Sequence, residues 1–143
     1  MKIRVINGPN LNMLGLREPE IYGRESYADL VAFVEQSAVA LGVQAECLQS
    51  NHEGEIVTWI QQSLGQADAI IINPAAYTHT SVAILDALLA VGLPAVEVHL
   101  SDVNAREDFR RVSFCAMACM KVIAGHGFAG YRMAIEFLIS PAK

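Results

Sequence analysis

Residues 69–99, AIIINPAAYTHTSVAILDALLAVGLPAVEVH, contain the pattern that decides the fold. A short β-branched run at residues 69–73 is followed by a longer, mostly apolar stretch at residues 81–90 and by a second β-branched run at residues 95–99. Runs of this kind are typical of buried strands, and the stretch between them is typical of a helix. A strand, a helix and a strand in succession predict neighbouring parallel strands.

The same alternation extends in both directions along the chain. Further strands are predicted at residues 3–7, 44–49 and 122–124. Further helices are predicted at residues 27–41, 54–64 and 127–138. Ser26 is the predicted N-cap of the first helix. The pattern therefore predicts a single α/β domain over residues 1–143, with helices packed on a five-stranded parallel sheet.

Composition narrows the classes of function. The 143 residues carry 10 Lys and Arg against 15 Asp and Glu and no basic run, so nucleic acid is not an expected partner. The chain is 53% hydrophobic, which predicts apolar surface buried between subunits and hence a homo-oligomer. Asp86 has apolar residues three and four positions away on both sides, and we expect a neighbouring subunit to cover it.

The sequence favours a cytoplasmic location. The first residues enter a strand pattern directly, without the basic, apolar and small-residue regions of a signal peptide. The most apolar stretch, residues 82–93, is interrupted by Asp86 and Gly92 and is too short to span a bilayer.

The cysteines are three in number, at positions 47, 115 and 119. They lack CxxC spacing, so buried and reduced thiols are predicted. Cys115 and Cys119 are four residues apart and would share one face of a helix.

Polar residues follow the predicted strands at the point where each strand ends. The segments are Gly8-Pro9-Asn10, Ser50-Asn51-His52, residues 74–79 and Leu100-Ser101. Because the carboxyl ends of parallel strands line one crevice, these groups are predicted to converge on a single ligand site.

Two glycine-rich segments resemble nucleotide-binding motifs but lack essential parts. Residues 125–130, GHGFAG, fit GxGxxG, yet only 13 residues follow them. A dinucleotide fingerprint needs a further strand and an acidic residue about 20 positions on. Residues 8–15 are not followed by the Gly-Lys-Ser/Thr of a phosphate-binding loop. We therefore expect no nucleotide cofactor.

Histidines follow three of the predicted strands, at positions 52, 79 and 99. They leave two interpretations open, a three-histidine metal site or separate roles in binding and proton transfer. Glu97 lies two residues before His99 on a strand, so both side chains point to one face. The carboxylate can then orient the imidazole or stabilise its charge, which favours His99 as a proton donor.

Tyr22 lies in the loop REPEIYG at residues 17–23, which begins with Arg17. A free tyrosine has a pKa of about 10, and lowering that pKa to neutrality costs about 4 kcal/mol. An arginine about 4 Å away supplies about that much at an effective dielectric constant near ~20. Arg17 is therefore sufficient to activate Tyr22 as a base if the loop brings the two together.

Several motifs occur in order along nearly the whole chain. They are NGPNLN at residues 7–12 with LG at 14–15 and REP at 17–19, QSNHEG at 49–54, AYTHTS at 76–81 and EVHLS at 97–101. Read together, they resemble the motifs of the type II 3-dehydroquinate dehydratases. The resemblance implies a flavodoxin-like three-layer fold and trimers assembled into a dodecamer. It also implies trans elimination of water from 3-dehydroquinate, without metal or cofactor, in aromatic amino acid biosynthesis (the shikimate pathway) or in quinate breakdown.

The resemblance further implies a role for each matching residue. Tyr22, activated by Arg17, would take the C2 proton as a phenolate, and Asn10 would hold a water that stabilises the enolate. His99, positioned by Glu97, would protonate the leaving hydroxyl. Substrate-binding roles are implied for Asn73, Leu100 and Ser101 at the carboxylate, for His79 and Arg110 at the ring hydroxyls, and for Asp86 reaching in from a neighbouring subunit.

Three features depart from the pattern of that family. Ala75 stands where the family usually has glycine, and a positive φ there would strain the loop that is expected to hold the carboxylate. Asp102 replaces a frequent asparagine, and residues 114–120 are rich in Cys and Met. We expect these changes to affect substrate affinity more than turnover.

Two other functions fit the same crevice. A non-catalytic flavodoxin-like module would bind flavin or phosphate there, and it would leave the pairing of Arg17 with Tyr22 without a purpose. A metal-dependent hydrolase using His52, His79 and His99 would be inhibited by chelators.

Overall fold

The structure, a computed structural model, describes residues 1–16 and 23–140, which form five strands and four α-helices. The strands are β1 (Lys2–Asn7), β2 (Gln44–Gln49), β3 (Ala69–Asn73), β4 (Ala95–His99) and β5 (Lys121–Ala124). The helices are α1 (Tyr27–Ala40), α2 (Glu53–Gln62), α3 (Val82–Val91) and α4 (Ala129–Ile139). None of the helices in these two ranges is long and apolar enough to cross a membrane.

The five strands of the described chain form one parallel sheet in the order β2-β1-β3-β4-β5. This is the strand order of the flavodoxin-like topology. At the carboxyl end of the sheet, Asn7 of β1 lies opposite both Gln49 of β2 and Asn73 of β3. The predicted α/β class and five-stranded parallel sheet are therefore confirmed.

Helices cover both faces of the sheet and give three layers. On one face α1 and α4 pack through residues that include Leu30, Val34, Tyr131 and Ile135. On the other face α2 and α3 pack through residues that include Ile56, Ile60, Ile84 and Leu88. Side chains of β3 alternate between these cores, with Ile71 in the first and Ile70 and Ile72 in the second. A strand buried on both faces reads as a continuous apolar run, which is why β3 was recognisable in the sequence.

The first helix begins where the sequence predicts. The Ser26 hydroxyl accepts a hydrogen bond from the Asp29 amide at 3.1 Å, and the Asp29 carboxylate accepts one from the Ser26 amide at 2.8 Å. This reciprocal capping box satisfies two amides that the helix itself cannot pair. The predicted N-cap is confirmed.

Two helices begin later than predicted. Ser81 precedes α3 as its cap, with its hydroxyl accepting from the Ile84 amide at 3.0 Å, so the helix begins at Val82. Gly127 has a φ of 57°, which lies outside the helical region, and α4 therefore begins at Ala129.

The GHGFAG segment forms the tight connection from β5 to α4. A Cβ at Gly130 would lie 3.3 Å from Val98 Cγ1 and 3.5 Å from Ile123 Cγ2. The glycine therefore lets α4 approach the sheet closely. Packing of the helix on the sheet is sufficient to explain the motif.

Candidate active site

A cleft of about 460 Å³ opens at the carboxyl ends of β1, β3 and β4. Its lining includes seven residues singled out in the sequence, namely Asn10, Asn73, His79, His99, Leu100, Ser101 and Arg110. They come from separate connections, and the shared edge of the parallel sheet brings them together. Arg106 also lines the cleft and is not among the site residues predicted from the sequence. Its position in the long polar connection after β4 was the available signal.

The predicted base and its activator, Tyr22 and Arg17, lie outside the described residues. The two ends of their loop meet at the cleft, since Gly15 and Glu25 both line it. A Cβ at Gly15 would lie 2.8 Å from the Arg24 carbonyl oxygen, so the backbone on either side of the loop is in close contact. The described residues on either side of the loop therefore lie beside the cleft.

His99 is the buried imidazole of the cleft, with 5% of its surface exposed. Its Nε2 lies 2.7 Å from Glu97 Oε2. The Ser113 hydroxyl donates to Glu97 Oε1 at 2.8 Å and accepts from the Ala116 amide at 3.0 Å. Glu97 therefore fixes one ring nitrogen of His99, and Ser113 fixes the Glu97 carboxylate. The other nitrogen, Nδ1, is left to exchange a proton with a ligand.

The Glu97 carboxyl is ionised despite being 1% exposed. Burial raises its pKa, but a hydrogen bond from His99, the charge of His99 and hydrogen bonds from Ser113 and Cys115 together lower that pKa below its usual value. An ionised carboxylate beside an imidazole stabilises the imidazolium form. The pair can therefore hold a proton and deliver it into the cleft.

A buried chain of hydrogen bonds supports Asn73 at the cleft. The Tyr131 hydroxyl donates to Asn7 Oδ1 at 2.7 Å and accepts from Asn73 Nδ2 at 3.1 Å. Asn7 Nδ2 donates in turn to the Tyr27 hydroxyl at 3.3 Å, and Asn73 Oδ1 accepts from the Ala75 amide at 3.1 Å. Burial raises the pKa of Tyr131, so this phenol stays neutral. The network therefore fixes the orientation of the Asn73 side-chain amide at the cleft.

Removing the central hydroxyl of this network is expected to destabilise the fold and weaken ligand binding. In Tyr131→Phe, buried amide groups of Asn7 and Asn73 lose their partners at about 1–3 kcal/mol each. We expect the free energy of unfolding to fall by about 2–6 kcal/mol in denaturant titrations. The control is Tyr27→Phe, which removes a half-buried hydroxyl at the end of the network and should cost about 0.5–1.5 kcal/mol. Equal losses in the two variants would contradict a central role for Tyr131.

Ala75 has a left-handed backbone, with a φ of 53°. The strain considered for this position in the sequence is therefore present. A left-handed conformation costs a residue with a Cβ roughly 1–2 kcal/mol.

Replacing Ala75 by glycine is expected to stabilise the protein. Relief of the strain exceeds the extra chain entropy of glycine, about 0.5–1 kcal/mol, and leaves a net gain of up to about 1 kcal/mol. A rise in Tm for Ala75→Gly would show it. Ala76→Gly, one residue on in the same short turn and without a positive φ, should lower Tm instead.

His79 and Arg110 are oriented by neighbours in the chain that follows β4. His79 Nδ1 donates to the Val112 carbonyl at 2.7 Å, which leaves its Nε2 for a ligand. Arg110 Nε donates to Glu107 Oε2 at 2.6 Å. Imidazole and guanidinium groups offer directional contacts to hydroxyl oxygens, so both side chains suit a polyhydroxylated ligand.

Asn10 begins a short 3-10 turn with a φ of 70°, a conformation that asparagine tolerates. The backbone amide of Asn10 donates to Asn51 Oδ1 at 3.0 Å, and Gln49 Nε2 donates to the same oxygen at 3.2 Å. The backbone of Asn10 is thereby fixed, and its side chain is exposed at the cleft.

Asp86 does not line the cleft of its own chain. It is exposed on α3, where Val82 and Leu89 are also 50% and 60% exposed. Burial of Asp86 against a neighbouring subunit stays a prediction.

The structure does not assemble the three-histidine metal site. His79 and His99 line the cleft, whereas His52 is exposed before α2 and is not part of the lining. Within residues 1–16 and 23–140, the potential metal ligands that do come together are Glu97, Cys115 and Cys119.

Known proteins match both the sequence and the fold. Residues 1–139 match the family model described as dehydroquinase class II. The chain is 50% identical to a 3-dehydroquinate dehydratase of Clostridium acetobutylicum, over 96% of each protein. It is 55% identical to a catabolic 3-dehydroquinase of Verticillium alfalfae, over 95% of this chain and 91% of that protein. The crystal structure of a type II dehydroquinase from Butyrivibrio crossotus matches with a TM-score of 0.95 and 50% identity, over 98% of both chains.

Proposed function

The chain belongs to the class II dehydroquinase family of hydro-lyases, and we propose that it eliminates water from 3-dehydroquinate to give 3-dehydroshikimate. The observation that carries the proposal is the buried pair of Glu97 and His99, 2.7 Å apart, in which His99 lines the cleft. An acid of this kind is what the departure of a hydroxyl group requires. The relatives support the choice of substrate.

The first proposed step is removal of a proton beside the ketone. Tyr22, ionised through the nearby charge of Arg17, takes the C2 proton, and the electron pair of the broken bond moves onto the ketone oxygen as an enolate. A water held by Asn10 donates a hydrogen bond to that oxygen. Donors already in place where charge develops stabilise such an intermediate strongly.

The second proposed step is loss of the hydroxyl group. The enolate reforms the ketone, the new double bond forms, and the bond to the hydroxyl breaks. His99 donates its proton to the leaving oxygen, which departs as water. Glu97 supports this step, because its ionised carboxylate stabilises the imidazolium until the proton is transferred.

The remaining cleft residues are proposed to orient the substrate. Asn73, the backbone amides of Leu100 and Ser101 and the Ser101 hydroxyl hold the carboxylate. His79 and Arg110 contact the ring hydroxyls. Fixing both ends of the ring places the C2 proton at the base and the leaving group at His99, which lowers the entropic part of the barrier. These groups require no cofactor for the enolate route.

The reaction is tested by mixing purified, EDTA-treated protein with 3-dehydroquinate and following the ultraviolet absorbance of the conjugated product. Rising absorbance at catalytic rates supports the proposal and shows that no exchangeable metal is needed. A flat trace from folded protein would reject it, and titration with flavin and with inorganic phosphate would then test the binding-module alternative.

Arg17→Ala is expected to lower kcat at neutral pH by raising the pKa of Tyr22. The lost stabilisation of about 4 kcal/mol corresponds to a fall of about 10³-fold. Because the missing factor is ionisation of the phenol, kcat should recover as the pH approaches about 10. A pH–rate profile measures this, and a deficit that persists at high pH would point to a binding role for Arg17.

We propose that a neighbouring subunit covers the outer face of α3 in a trimer, and that trimers assemble into a dodecamer. Val82 and Leu89 are half exposed or more on that face, with Asp86 between them. Apolar surface of this kind favours burial against another copy. Asp86 would then reach the substrate of the adjoining subunit.

A further inference from the structure

The thiols of Cys115 and Cys119 lie close to the carboxylate of Glu97. Cys115 Sγ and Cys119 Sγ are 3.9 Å apart, and these atoms and a Glu97 carboxylate oxygen lie within 4.8 Å of one another. Cys115 is 1% exposed and Cys119 is partly exposed, so the group is buried but reachable from the Cys119 side. The proposed dehydration makes no use of either thiol.

The spacing of these atoms fits a tetrahedral cation. Zinc binds thiolates at about 2.3 Å and carboxylates at about 2.0 Å, which places two thiolates about 3.8 Å apart and a thiolate and a carboxylate oxygen about 3.5 Å apart. The observed separation of the two sulfurs needs almost no adjustment. Thiolate ligands select thiophilic metals over Mg²⁺ and Ca²⁺.

From this cluster we infer that Glu97, Cys115 and Cys119 form a binding site for a thiophilic divalent cation such as Zn²⁺ or Cd²⁺, and that occupancy inhibits the enzyme. The fourth ligand is water, entering from the side of Cys119. The binding part of the inference stands on the geometry alone. The inhibition part rests on the proposed function of Glu97 and His99.

Binding exchanges protons for the cation. A hydrogen bond with Cys119, burial and the charge of Glu97 raise the pKa of the Cys115 thiol, so this thiol is neutral before a cation binds. On binding, each thiol loses its proton to solvent and each sulfur forms a bond to the metal, with no change of oxidation state. Metal binding at thiol ligands therefore releases protons.

A cation bound at this site changes how Glu97 positions His99, the proposed acid of the dehydration. Without a cation, a Glu97 carboxylate oxygen lies 2.7 Å from His99 Nε2, and the other oxygen accepts a hydrogen bond from Ser113. A cation bound to a Glu97 oxygen competes with the hydrogen bond that orients the His99 ring. Inhibition follows without any contact between the cation and the cleft.

Cadmium alone is the probe for binding, because its thiolate complexes absorb in the ultraviolet. Reduced protein titrated with Cd²⁺ should develop a charge-transfer band that saturates at one equivalent, with release of two protons measured in weakly buffered indicator solution. Cys119→Ala should weaken binding by about 100-fold or more, since loss even of groups that only support a ligand costs about 10–100-fold. Cys119→Ser preserves the size of the side chain and should behave in the same way.

Cys47→Ala is the matched control. Cys47 is a partly exposed thiol on β2, outside the cluster, and its removal should leave the band and the affinity unchanged. Absence of the band in the wild-type protein, or a band of equal size in Cys119→Ala, would overturn the site.

The activity assay tests the consequence separately. Saturating Cd²⁺ should lower kcat of the wild-type protein by about tenfold or more, as expected when a general acid loses its support. Cys119→Ala should keep its uninhibited rate at the same cadmium concentration. Equal inhibition of both proteins would place the effect at the cleft histidines and overturn the coupling, even if the binding band is present.

Discussion

Tyr22→Phe is expected to lower kcat by about 10²–10⁴-fold, the range that a positioned general base contributes. The substitution removes only the phenolic oxygen, and no other group at that position of the ring can accept the C2 proton. Substrate should still bind, because the proposed carboxylate and hydroxyl contacts come from other residues. The measurement is kcat from product absorbance together with a separate Kd from calorimetry under conditions of negligible turnover.

The control for this experiment is Tyr77→Phe. Tyr77 loses a hydroxyl that donates to the Asn51 carbonyl at 2.8 Å, and it does not line the cleft. Its kcat should change little. If kcat of Tyr22→Phe equals that of the wild-type protein, the base is another group, and the loop that begins at Arg17 acts only in binding.

The central strands were predictable because burial on both faces of the sheet favours short runs that are mostly apolar and rich in β-branched residues. The bounds of β2, β3 and β4 agree with the prediction residue for residue. The remaining differences lie at element ends, where local backbone geometry decides. Gly127 illustrates this, since its positive φ delays α4 by two residues relative to the hydrophobic pattern.

The pairing of Glu97 with His99 was also predictable, because a strand places alternate residues on one face. The hydrogen-bond network of Asn7, Asn73 and Tyr131 behind the cleft was not predictable. Tyr131 is 124 residues from Asn7 and 58 residues from Asn73, so only the packing of α4 on the sheet brings the three together. No local pattern in a single sequence carries such a contact.

The thiol cluster was likewise not predictable from the sequence alone. The spacing of Cys115 and Cys119 indicated a shared face, but their nearness to Glu97 depends on how the chain after Ser113 packs against β4. The hydrogen bond from Ser113 to Glu97 contributes to that packing. The carboxylate of the proposed catalytic pair thereby belongs to the proposed cation site as well.

Glu97→Gln is expected to lower kcat by about 10²-fold or more, because the amide cannot stabilise the His99 imidazolium and can hold the ring in the wrong tautomer. The hydrogen-bond distance between the two side chains is short enough, at 2.7 Å, for the charge to act directly. KM should change less than kcat, since Glu97 does not line the cleft. Steady-state kinetics in which kcat is preserved would refute the role.

The same variant changes the pH dependence of stability in a direction that the lowered pKa of Glu97 fixes. A carboxyl whose pKa is lower in the folded state stabilises the fold above its unfolded pKa of about 4.3, and that stabilisation disappears as the pH falls through the folded value. The Tm difference between the wild-type protein and Glu97→Gln should therefore be largest near neutral pH and shrink in acid. Glu136→Gln removes an exposed carboxylate 3.4 Å from Arg132, and this control should show a small difference at every pH. A Tm difference for Glu97→Gln that stays constant into acid would mean that packing, and not charge, is what Glu97 contributes beside His99.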